Sequence, residues 1–353
     1  MKKKLTILAL MLFGIYIADA QQITVALHHN GVSLMYYGNS GFQDAYNASA
    51  NGDTIYLPGN AHYSGIGIAK KLVIIGTGHR PDSTIATGRT MIESDIRFYA
   101  GADGSVLEGI YSTSNIYFNS NERVNDVVIR RCNVSSILME GTYDTSHTCN
   151  RVYIEQNVVR GEISCDNSDY ITIRNNIIRY RIRDINANGL IENNILYHQT
   201  DWGYWSDNPS NSTIYSVANS LIRNNIFMRY PAHTECQILG SNNDVKNNIF
   251  ANTTPECYSS NYVNNYYTIS SDTIFVGQVA TYTEFSYTHN YHLVSPSAYP
   301  GYAGMGVGIY GGTLPYKDGE IPFNPHIQMQ TIAPATNTNG KLNIDIKVEA
   351  QDQ

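Results

Sequence analysis

The chain is poor in charge. Only 15% of its 353 residues are Asp, Glu, Lys or Arg, against about 25% in an average soluble domain. Acidic residues outnumber basic ones by 30 to 23, which argues against a nucleic-acid partner because phosphates favour basic surfaces. Polarity comes instead from Asn, Ser, Thr and 28 Tyr residues. This composition is typical of a β-rich exported protein, since aromatic and β-branched residues suit pleated surfaces.

Cysteine and metal-binding patterns are also scarce. There are five cysteines and no Cys-x-x-Cys pair: Cys132, Cys149, Cys165, Cys236 and Cys257. Cys236 and Cys257 are separated by about one repeat of the pattern described below, so a disulfide between adjacent coils is one interpretation, and buried free thiols are the other. His289 and His292 would point to opposite faces of a strand, and no His-x-x-x-His pattern occurs. The sequence therefore predicts no zinc site.

A single long apolar run occurs, at the N-terminus. Three lysines precede the apolar residues 5–17, and Ala18-Asp19-Ala20 places small residues before Gln21. This order predicts a signal peptide over residues 1–20. We therefore expect export to the periplasm, the cell surface or the medium, with no membrane span after its removal. The mature chain would carry 20 basic and 29 acidic residues.

A short pattern recurs through the middle of the chain. Alternating apolar residues are followed by a polar pair and more apolar residues, as in VYIEQNVV at 152–159 and ITIRNNII at 171–178. Alternation predicts a strand with one inward face, and Asn tolerates the left-handed backbone of a tight corner. The second residue of the pair recurs every 17 to 31 residues, at Asn133, Asn157, Asn176, Asn194, Asn225, Asn248 and Asn265.

Stacked repeats of this kind predict an all-β solenoid. About ten coils would share one apolar core, and the Asn side chains would form a hydrogen-bonded ladder along one corner. A leucine-rich repeat fits poorly because the Leu-x-x-Leu-x-Leu consensus is absent. A β-sandwich fits poorly because it would not repeat one corner residue seven times.

The N-terminal part carries motifs of a known family. Residues 42–50 resemble a short amphipathic capping helix, and residues 51–59, NGDTIYLPG, resemble a first strand. Residues 70–78 and 104–110 resemble the next coils. Together with the Asn repeat, these motifs resemble the right-handed parallel β-helices of the pectate-lyase-like superfamily. The resemblance implies a fold but no single activity, since that superfamily includes lyases, hydrolases, esterases, adhesins and scaffolds.

The C-terminal part departs from the repeat. Residues 307–312, VGIYGG, resemble the closing motif of exported β-helix-repeat proteins of Bacteroidetes-type bacteria. We therefore assign the β-helix domain to residues 21–312 and an irregular C-terminal extension to residues 313–353. Residues 340–350 alternate as one exposed strand, which would cover the open end of the solenoid. A disordered tail is the alternative.

An aromatic loop marks the longest interval between Asn corners, at residues 197–215. Both Trp residues lie there, and aromatic faces stack on sugars while carboxylates bond hydroxyls or hold Ca²⁺. The candidate cofactor is therefore Ca²⁺, with Asp201 and Asp207 as ligands. A loop that packs its aromatics on the solenoid is the alternative. The loop also contains His198. The candidate substrate-binding residues are Tyr197, Asp201, Trp202, Tyr204, Trp205 and Asp207.

A cationic stripe is the second candidate site. It comprises Arg174, Arg179, Arg181, Arg183, Arg223 and Arg229. A uronate lyase needs a base for the proton α to the carboxylate and a cation for the resulting charge. The resemblance implies that Arg or Lys together with Ca²⁺ would supply this cation. The alternative is a solvent-exposed ladder of mixed sign, because alignment of the repeats assigns one position to Arg131, Glu155, Arg174, Glu192, Arg223 and Lys246.

Acidic residues form the third candidate site. Paired carboxylates hydrolyse glycosides, and the candidates are Asp166, Asp169, Asp184 and Glu192. Ordinary turn residues are the alternative. The Asn-Thr-Asp, Asp-Asp and Gly-His-Gly motifs of polygalacturonase-like hydrolases are absent. The candidate catalytic residues are Arg174, Arg181, Arg183, Arg223 and Asp169.

Three hypotheses on function follow. The leading one is an exported β-helix that binds a polysaccharide or serves as a surface or periplasmic scaffold without catalysis. The second is a polysaccharide lyase or glycoside hydrolase acting on an acidic polysaccharide. The third is a structural or adhesive protein with no small ligand.

Overall fold

The computed structural model describes residues 23–119, 122–139, 149–198, 212–228, 236–251, 259–277 and 284–350. In these ranges the chain winds into a parallel β-helix, which confirms the predicted fold class. Three sheets run along the solenoid, and neighbouring strands within a sheet come from successive coils. The sequence predicts right-handed winding, which is the usual hand of parallel crossovers.

The three sheets differ in length. Sheet A contains 12 strands: β1 (Thr24–His29), β2 (Val32–Tyr37), β3 (Thr54–Tyr56), β6 (Val73–Ile75), β9 (Val106–Glu108), β12 (Val128–Arg130), β15 (Tyr153–Glu155), β18 (Thr172–Arg174), β21 (Leu190–Glu192), β24 (Leu221–Arg223), β27 (Asp244–Lys246) and β29 (Asn261–Val263). Sheet B contains 10 strands: β4 (Ala61–Tyr63), β7 (Thr90–Ile92), β10 (Tyr111–Ser112), β13 (Asn133–Val134), β16 (Val158–Val159), β19 (Ile177–Ile178), β22 (Ile195–Leu196), β25 (Ile226–Phe227), β28 (Ile249–Ala251) and β30 (Tyr266–Ile269). Sheet C contains 8 strands: β5 (Ile66–Ile68), β8 (Ile96–Phe98), β11 (Ile116–Phe118), β14 (Ile137–Met139), β17 (Ile163–Asp169), β20 (Ile182–Ala187), β23 (Ile214–Ala218) and β26 (Ile238–Ser241).

The coils agree in number with the prediction. Ten coils run from β3 to β30 in the described ranges, and the last two contribute strands to sheets A and B there. The central residue of each sheet A strand from β3 to β27 points inward and is at most 1% exposed, as at Ile74, Ile129 and Ile173. Strand register places these side chains directly above one another. One continuous apolar core therefore fills the solenoid.

The Asn ladder forms at the corner between sheets A and B. The backbone N–H of Asn157 donates to Oδ1 of Asn176 at 2.8 Å, and Asn176 repeats the contact with Asn194 at 2.9 Å. The chain of bonds continues through Asn225 and Asn248 to Asn265. Because the ladder side chains also bond backbone carbonyls inside the solenoid, the buried side-chain amides of the ladder asparagines are satisfied.

One ladder position was predicted wrongly. The backbone N–H of Cys132, not of Asn133, donates to Oδ1 of Asn157. Asn133 lies one residue further on, in β13, opposite Val158. The polar run Arg-Arg-Cys-Asn concealed the register, because the ladder position there holds a cysteine.

The residue before each ladder residue has a left-handed backbone, as the Asn pairs predicted. We call five of these the corner residues, and their φ angles are 51° to 57°: Arg131, Gln156, Asn175, Asn193 and Asn224. All five are at most 2% exposed. Their burial is unexpected for a solenoid corner, and residues 302–321, which bond them, cause it.

The N-terminal end is covered by a hairpin and a helix. Helix α1 (Gly41–Ala48) buries Phe42 and Ala45, which confirms the predicted capping helix. Strands β1 and β2 pair antiparallel, and β1 also pairs antiparallel with β3, so they extend sheet A beyond the first coil. The hairpin was not predicted, because it lies outside the repeat.

Residues 284–323 return along the outside of sheet B, and we call them the return segment. Outward-facing Ile177, Ile195, Ile226 and Ile249 of sheet B form a second apolar core with side chains that include Val307 and Ile309. The segment contains 3-10 turns at Pro296–Ala298 and Tyr302–Gly304, and two others occur at Asp82–Thr84 and Ser271–Thr273. Sheet B is therefore apolar on both faces.

The corner residues hold the return segment coil by coil. Asn224 accepts from Tyr302 N at 2.7 Å, and Asn193 donates to the carbonyl oxygen of Gly308 at 3.0 Å. Asn175 donates to the carbonyl oxygen of Ile309 at 2.7 Å. Gln156 then bonds the carbonyl oxygen of Pro315, and Arg131 that of Ile321. The segment therefore runs from the eighth coil back to the fourth.

The C-terminal extension does not lie where the sequence predicted. The strand expected over 340–350 is β32 (Ile344–Glu349), and it pairs antiparallel with β31 (His326–Ile332) as a separate hairpin. Ile327 lines a cavity with Thr24 and Tyr56, at the N-terminal end of the solenoid. Since the return segment brings the chain back, the hairpin lies near the opposite end from the one predicted.

Of the two interpretations of the cysteines, the free buried thiol applies to three residues and the disulfide to Cys236. Cys132, Cys149 and Cys165 are buried free thiols, and burial raises the pKa of each. Cys236 is disulfide-bonded, and Cys257 lies outside the described residues. No helix in the described part of the chain is both long and apolar enough to cross a membrane.

Candidate functional site

Most of the predicted aromatic loop lies outside the described residues. This applies to Asp201, Trp202, Tyr204, Trp205 and Asp207, and also to Arg229, His147, His233 and residues 1–20. Of the loop candidates, Tyr197 is 3% exposed and packs in the second apolar core, and His198 beside it is 6% exposed. No cluster of three or more metal-binding side chains occurs among the described residues.

The charges before the Asn pairs alternate in sign along sheet A. Register places Arg130, Glu155, Arg174, Glu192 and Arg223 side by side. Arg174 lies 2.6 Å from Glu155, and Arg223 lies 2.8 Å from Glu192. The structure thus shows the mixed-sign alternative, with the glutamates buried beneath the arginines. Arg131 was assigned to this row wrongly; Arg130 occupies the position, and Arg131 is a corner residue.

Two further arginines of the stripe converge on one carboxylate of sheet C. Arg181 lies 2.8 Å and Arg183 3.1 Å from Glu162, and Arg183 also contacts Asp184. Burial opposes ionisation of Glu162, but the two arginines outweigh it and lower the pKa of the carboxyl. Arg179 lies 4.0 Å from Glu284. These cations therefore act first on carboxylates of the chain itself.

The acidic candidates fall on two different sheets. Asp166 and Asp184 have left-handed backbones with φ of 44° and 63°, as residues at bends do. Asp169 accepts a hydrogen bond from Asn186 at 3.0 Å. Glu192 lies in sheet A, whereas the other three lie in sheet C strands. The turn interpretation is not confirmed, because Asp166, Asp169 and Asp184 all lie within strands β17 and β20.

A polar cleft lies where the return segment meets the loop after β6. Its volume is about 670 Å³, and it is lined by Arg80, Asp82, Ser83, Tyr287, Thr288, His289, Asn290, His292, Tyr310, Asp318 and Gly319. The expectation that His289 and His292 face opposite ways is wrong, because residues 288–292 do not form a strand and both side chains line this cleft.

Aromatic and polar groups are fixed around the cleft. The His292 ring stacks on Tyr310 with centroids 3.8 Å apart, and the Tyr310 hydroxyl donates to Asp318 at 2.8 Å. Arg80 donates to the carbonyl oxygen of Tyr287 at 2.9 Å. Burial lowers the pKa of His289, so its imidazole is neutral at pH 7. The cleft therefore presents a planar aromatic surface beside hydrogen-bonding groups of both kinds.

A buried hydrogen-bond network adjoins the cleft through Tyr287. Nδ1 of His79 lies 3.0 Å from the Tyr287 hydroxyl and 3.2 Å from Oε2 of Glu320. The Tyr316 hydroxyl donates to Glu320 at 2.6 Å, and Asn133 donates to the Tyr287 hydroxyl at 2.9 Å. Burial, with nearby arginines, lowers the pKa of His79 to about 3, and burial raises the pKa of Glu320 to about 7.

Three arginines that form no ion pair within the described residues lie around this network. The guanidinium of Arg89 lies 4.4 Å and that of Arg160 5.3 Å from the centroid of the Tyr111 ring. Tyr111 is the strand neighbour of Asn133, which bonds Tyr287. In the described part of the chain, neither these two nor Arg80 pairs with a carboxylate. Arg80, Arg89 and Arg160 therefore bring positive charge to a cleft that also holds the carboxylates of Asp82 and Asp318, and this positive charge attracts anions.

Sequence reasoning missed the cleft because no local pattern encodes it. Arg80 and Tyr287 are more than 200 residues apart, and neither occupies a repeat position. The only local signal was the close spacing of His289 and His292.

The comparisons with known proteins give no relative. The chain matches no protein-family model, and neither a curated protein nor a solved structure is significantly similar to it. Its fold and its candidate site are therefore defined by its own sequence and geometry.

Proposed function

We propose that this chain is an exported, non-catalytic β-helix of the pectate-lyase-like kind that binds an acidic glycan in the polar cleft. The observation that carries the proposal is the cleft itself. Its volume of about 670 Å³ lies within the range of small-molecule sites. It combines the Tyr310 and His292 rings with Arg80 and the carboxylates of Asp82 and Asp318.

Each group suits a part of a sugar acid. Aromatic rings contact the C–H faces of a pyranose, and Asp82 and Asp318 accept hydrogen bonds from hydroxyls. Arg80 offers a planar donor pair to a carboxylate. Arg89 and Arg160 add positive potential nearby, which favours a charged glycan over a neutral one.

The cationic stripe supports a function without catalysis, because its arginines already contact carboxylates of the chain. Arg174, Arg181, Arg183 and Arg223 all contact carboxylates of the chain. Sugar contacts by Trp202 and Trp205, which lie outside the described residues, stay a prediction.

Calorimetric titration of residues 21–353 with uronic-acid oligosaccharides and their neutral counterparts tests the proposal. We expect binding of the acidic series alone. Arg80→Gln should weaken it by roughly tenfold or more, because a charged hydrogen bond is worth about 2 kcal/mol. Arg97→Gln is the matched control, since Arg97 pairs with Asp95 on sheet C. Equal binding of both series, or equal loss in both variants, would contradict the proposal.

A lyase is the second candidate, and one observation favours it. The neutral imidazole of His289 shares the cleft with Arg80, and these are the base and the cation that proton abstraction α to a carboxylate requires. Incubation with the same acidic oligosaccharides, followed by ultraviolet absorbance of unsaturated products, separates the two functions. Product formation that His289→Ala abolishes would replace the binding proposal by the lyase.

A further inference from the structure

The C-terminal hairpin is a two-stranded sheet of its own. Strand β32 pairs with β31 and with no other strand in the described ranges. Every residue of β32 is exposed, and Ile344, Ile346 and Val348 are 55%, 49% and 59% exposed. An isolated two-stranded sheet is only marginally stable in water, and three or more strands are needed for independent stability.

The open edge of β32 has a defined set of backbone groups. Ala333 N donates to the carbonyl oxygen of Asn343 at 2.9 Å, so Asn343 directs its backbone toward β31. Residues of an antiparallel pair alternate in this respect. Asp345 and Lys347 therefore also face β31, and the N–H and C=O groups of Ile344, Ile346 and Val348 point to the open edge.

The side chains of β32 also alternate. Ile344, Ile346 and Val348 lie on one face, and Asp345, Lys347 and Glu349 lie on the other. On the apolar face, Ile332 of β31 is the direct neighbour of Ile344. Open edges of natural sheets are usually blocked by proline, bulges or inward charges. Strand β32 contains no proline, and the one irregularity of the hairpin, between Ile327 and Met329, lies on β31.

We propose that β32 pairs antiparallel with β32 of a second copy, about a two-fold axis at Ile346. In this register each Ile346 faces its equivalent, and each Ile344 faces Val348. Each Asp345 then faces Lys347 of the other copy, so both charged pairs are complementary. Ile346 also has its backbone groups directed to the open edge, as a hydrogen-bonded central pair requires.

The neighbouring symmetric register is unfavourable. An axis at Lys347 would place Asp345 opposite Glu349 twice, and like charges directly opposite each other destabilise a sheet. Lys347 lies 3.9 Å from Glu349 of its own strand, but both are exposed, and such pairs contribute little. The charge pattern therefore disfavours the axis at Lys347, and the axis at Ile346 is the one that places Ile344, Ile346 and Val348 opposite one another. Pairing about this axis joins two hairpins into a four-stranded sheet with an isologous interface.

Sedimentation velocity of residues 21–353 over a range of concentrations tests the pairing. We expect a reversible dimer. Lys347→Glu should weaken it by roughly tenfold or more, because two attractive cross-strand pairs become repulsive. The double exchange Asp345→Lys with Lys347→Asp should restore dimerisation. Ile346→Pro should abolish it, since proline removes the N–H at the open edge without removing a bond to β31.

Cysteine cross-linking locates the axis. Ile346→Cys should give a disulfide-linked dimer under mild oxidation, because facing residues of a hydrogen-bonded pair have Cα atoms about 5.5 Å apart. Thr331→Cys is the matched control and should not cross-link, because Thr331 lies in β31, which would be the outer strand of the four-stranded sheet. A monomer at every concentration, or a dimer that neither Lys347→Glu nor Ile346→Pro weakens, would overturn the proposal.

Discussion

Buried titratable side chains join the return segment to the solenoid. His79 is fully buried and Glu320 is 3% exposed, and the two lie in contact in the network that adjoins the cleft. Their pKa shifts make the free energy of unfolding depend on pH in opposite directions. Burial favours the neutral form of each group, so each destabilises the folded chain in the pH range where its unfolded form is charged.

Glu320→Gln should change the pH dependence of stability. The carboxyl is protonated in both states below its ordinary pKa of 4.5, whereas its folded pKa is about 7. As pH rises from 4.5 to 7, only the unfolded chain loses the proton, so the free energy of unfolding falls. Glutamine mimics the neutral acid and removes this loss, which is on the order of 3 kcal/mol at most.

The measurement is the melting temperature of both proteins from pH 4 to 8. The advantage of Glu320→Gln over the parent should grow up to about pH 7. His79 has the opposite sign, because its pKa is about 3 and the free energy of unfolding falls as pH drops below 6.5. It is common to both proteins, so the difference between them isolates Glu320. Asp82→Asn is the exposed control, and an equal trend for it would contradict the prediction.

At the scale of elements, the ladder explains why the repeat tolerates intervals of unequal length. Each ladder Asn bonds only its neighbours in the adjacent coils and an inner carbonyl. Insertions between sheets therefore leave the corner unchanged, as the long interval between Asn194 and Asn225 shows.

Asn194→Ala should destabilise the solenoid strongly. Asn194 is fully buried, and its side chain bonds Asn176 N, the carbonyl oxygen of Ile173 and Oδ1 of Asn225. Alanine leaves buried polar groups unsatisfied, at a cost of about 2 to 4 kcal/mol. Urea denaturation measures the loss. Asn186→Ala, which removes one exposed bond to Asp169, is the control and should change stability by less than about 0.5 kcal/mol.

The elements that the sequence predicted are those with a local signal. Residues 42–50 carried the helix pattern, and the Asn pairs carried both the corner conformation and the ladder. The position of Cys132 was missed because its neighbours are also polar. The hairpin of β1 and β2 and the path of the return segment depend on contacts between distant residues, which periodicity does not record. The cleft follows from that path and was missed with it.

On the scale of the whole molecule, the return segment covers an apolar face that would otherwise face water. Ile177, Ile195, Ile226 and Ile249 of sheet B contact it. The cleft exists only while this contact holds, since Tyr287, His289 and Tyr310 belong to the return segment. Stability of the outer layer and formation of the site are therefore linked.

Ile309→Ala should loosen the outer layer without unfolding the solenoid. Ile309 is 1% exposed in the second core, and its truncation costs about 2 to 4 kcal/mol. Hydrogen exchange should accelerate at residues 301–316 and stay slow in the inner strands of sheet A. Ile85→Ala, at a side chain that is 81% exposed, is the matched control. Uniform acceleration along the chain would show that the two layers unfold together.

The ties between the corner residues and the return segment also limit how this protein can evolve. Solenoids commonly grow or shrink by duplication or loss of a repeat. Here a duplicated coil between Gln156 and Asn193 would lengthen the flank by about 4.8 Å, while the segment from Gly308 to Pro315 would keep its length. The hydrogen bonds on one side of the insertion would then lose their partners. The length of the return segment, which lies outside the coils, therefore sets the number of coils in this part of the molecule.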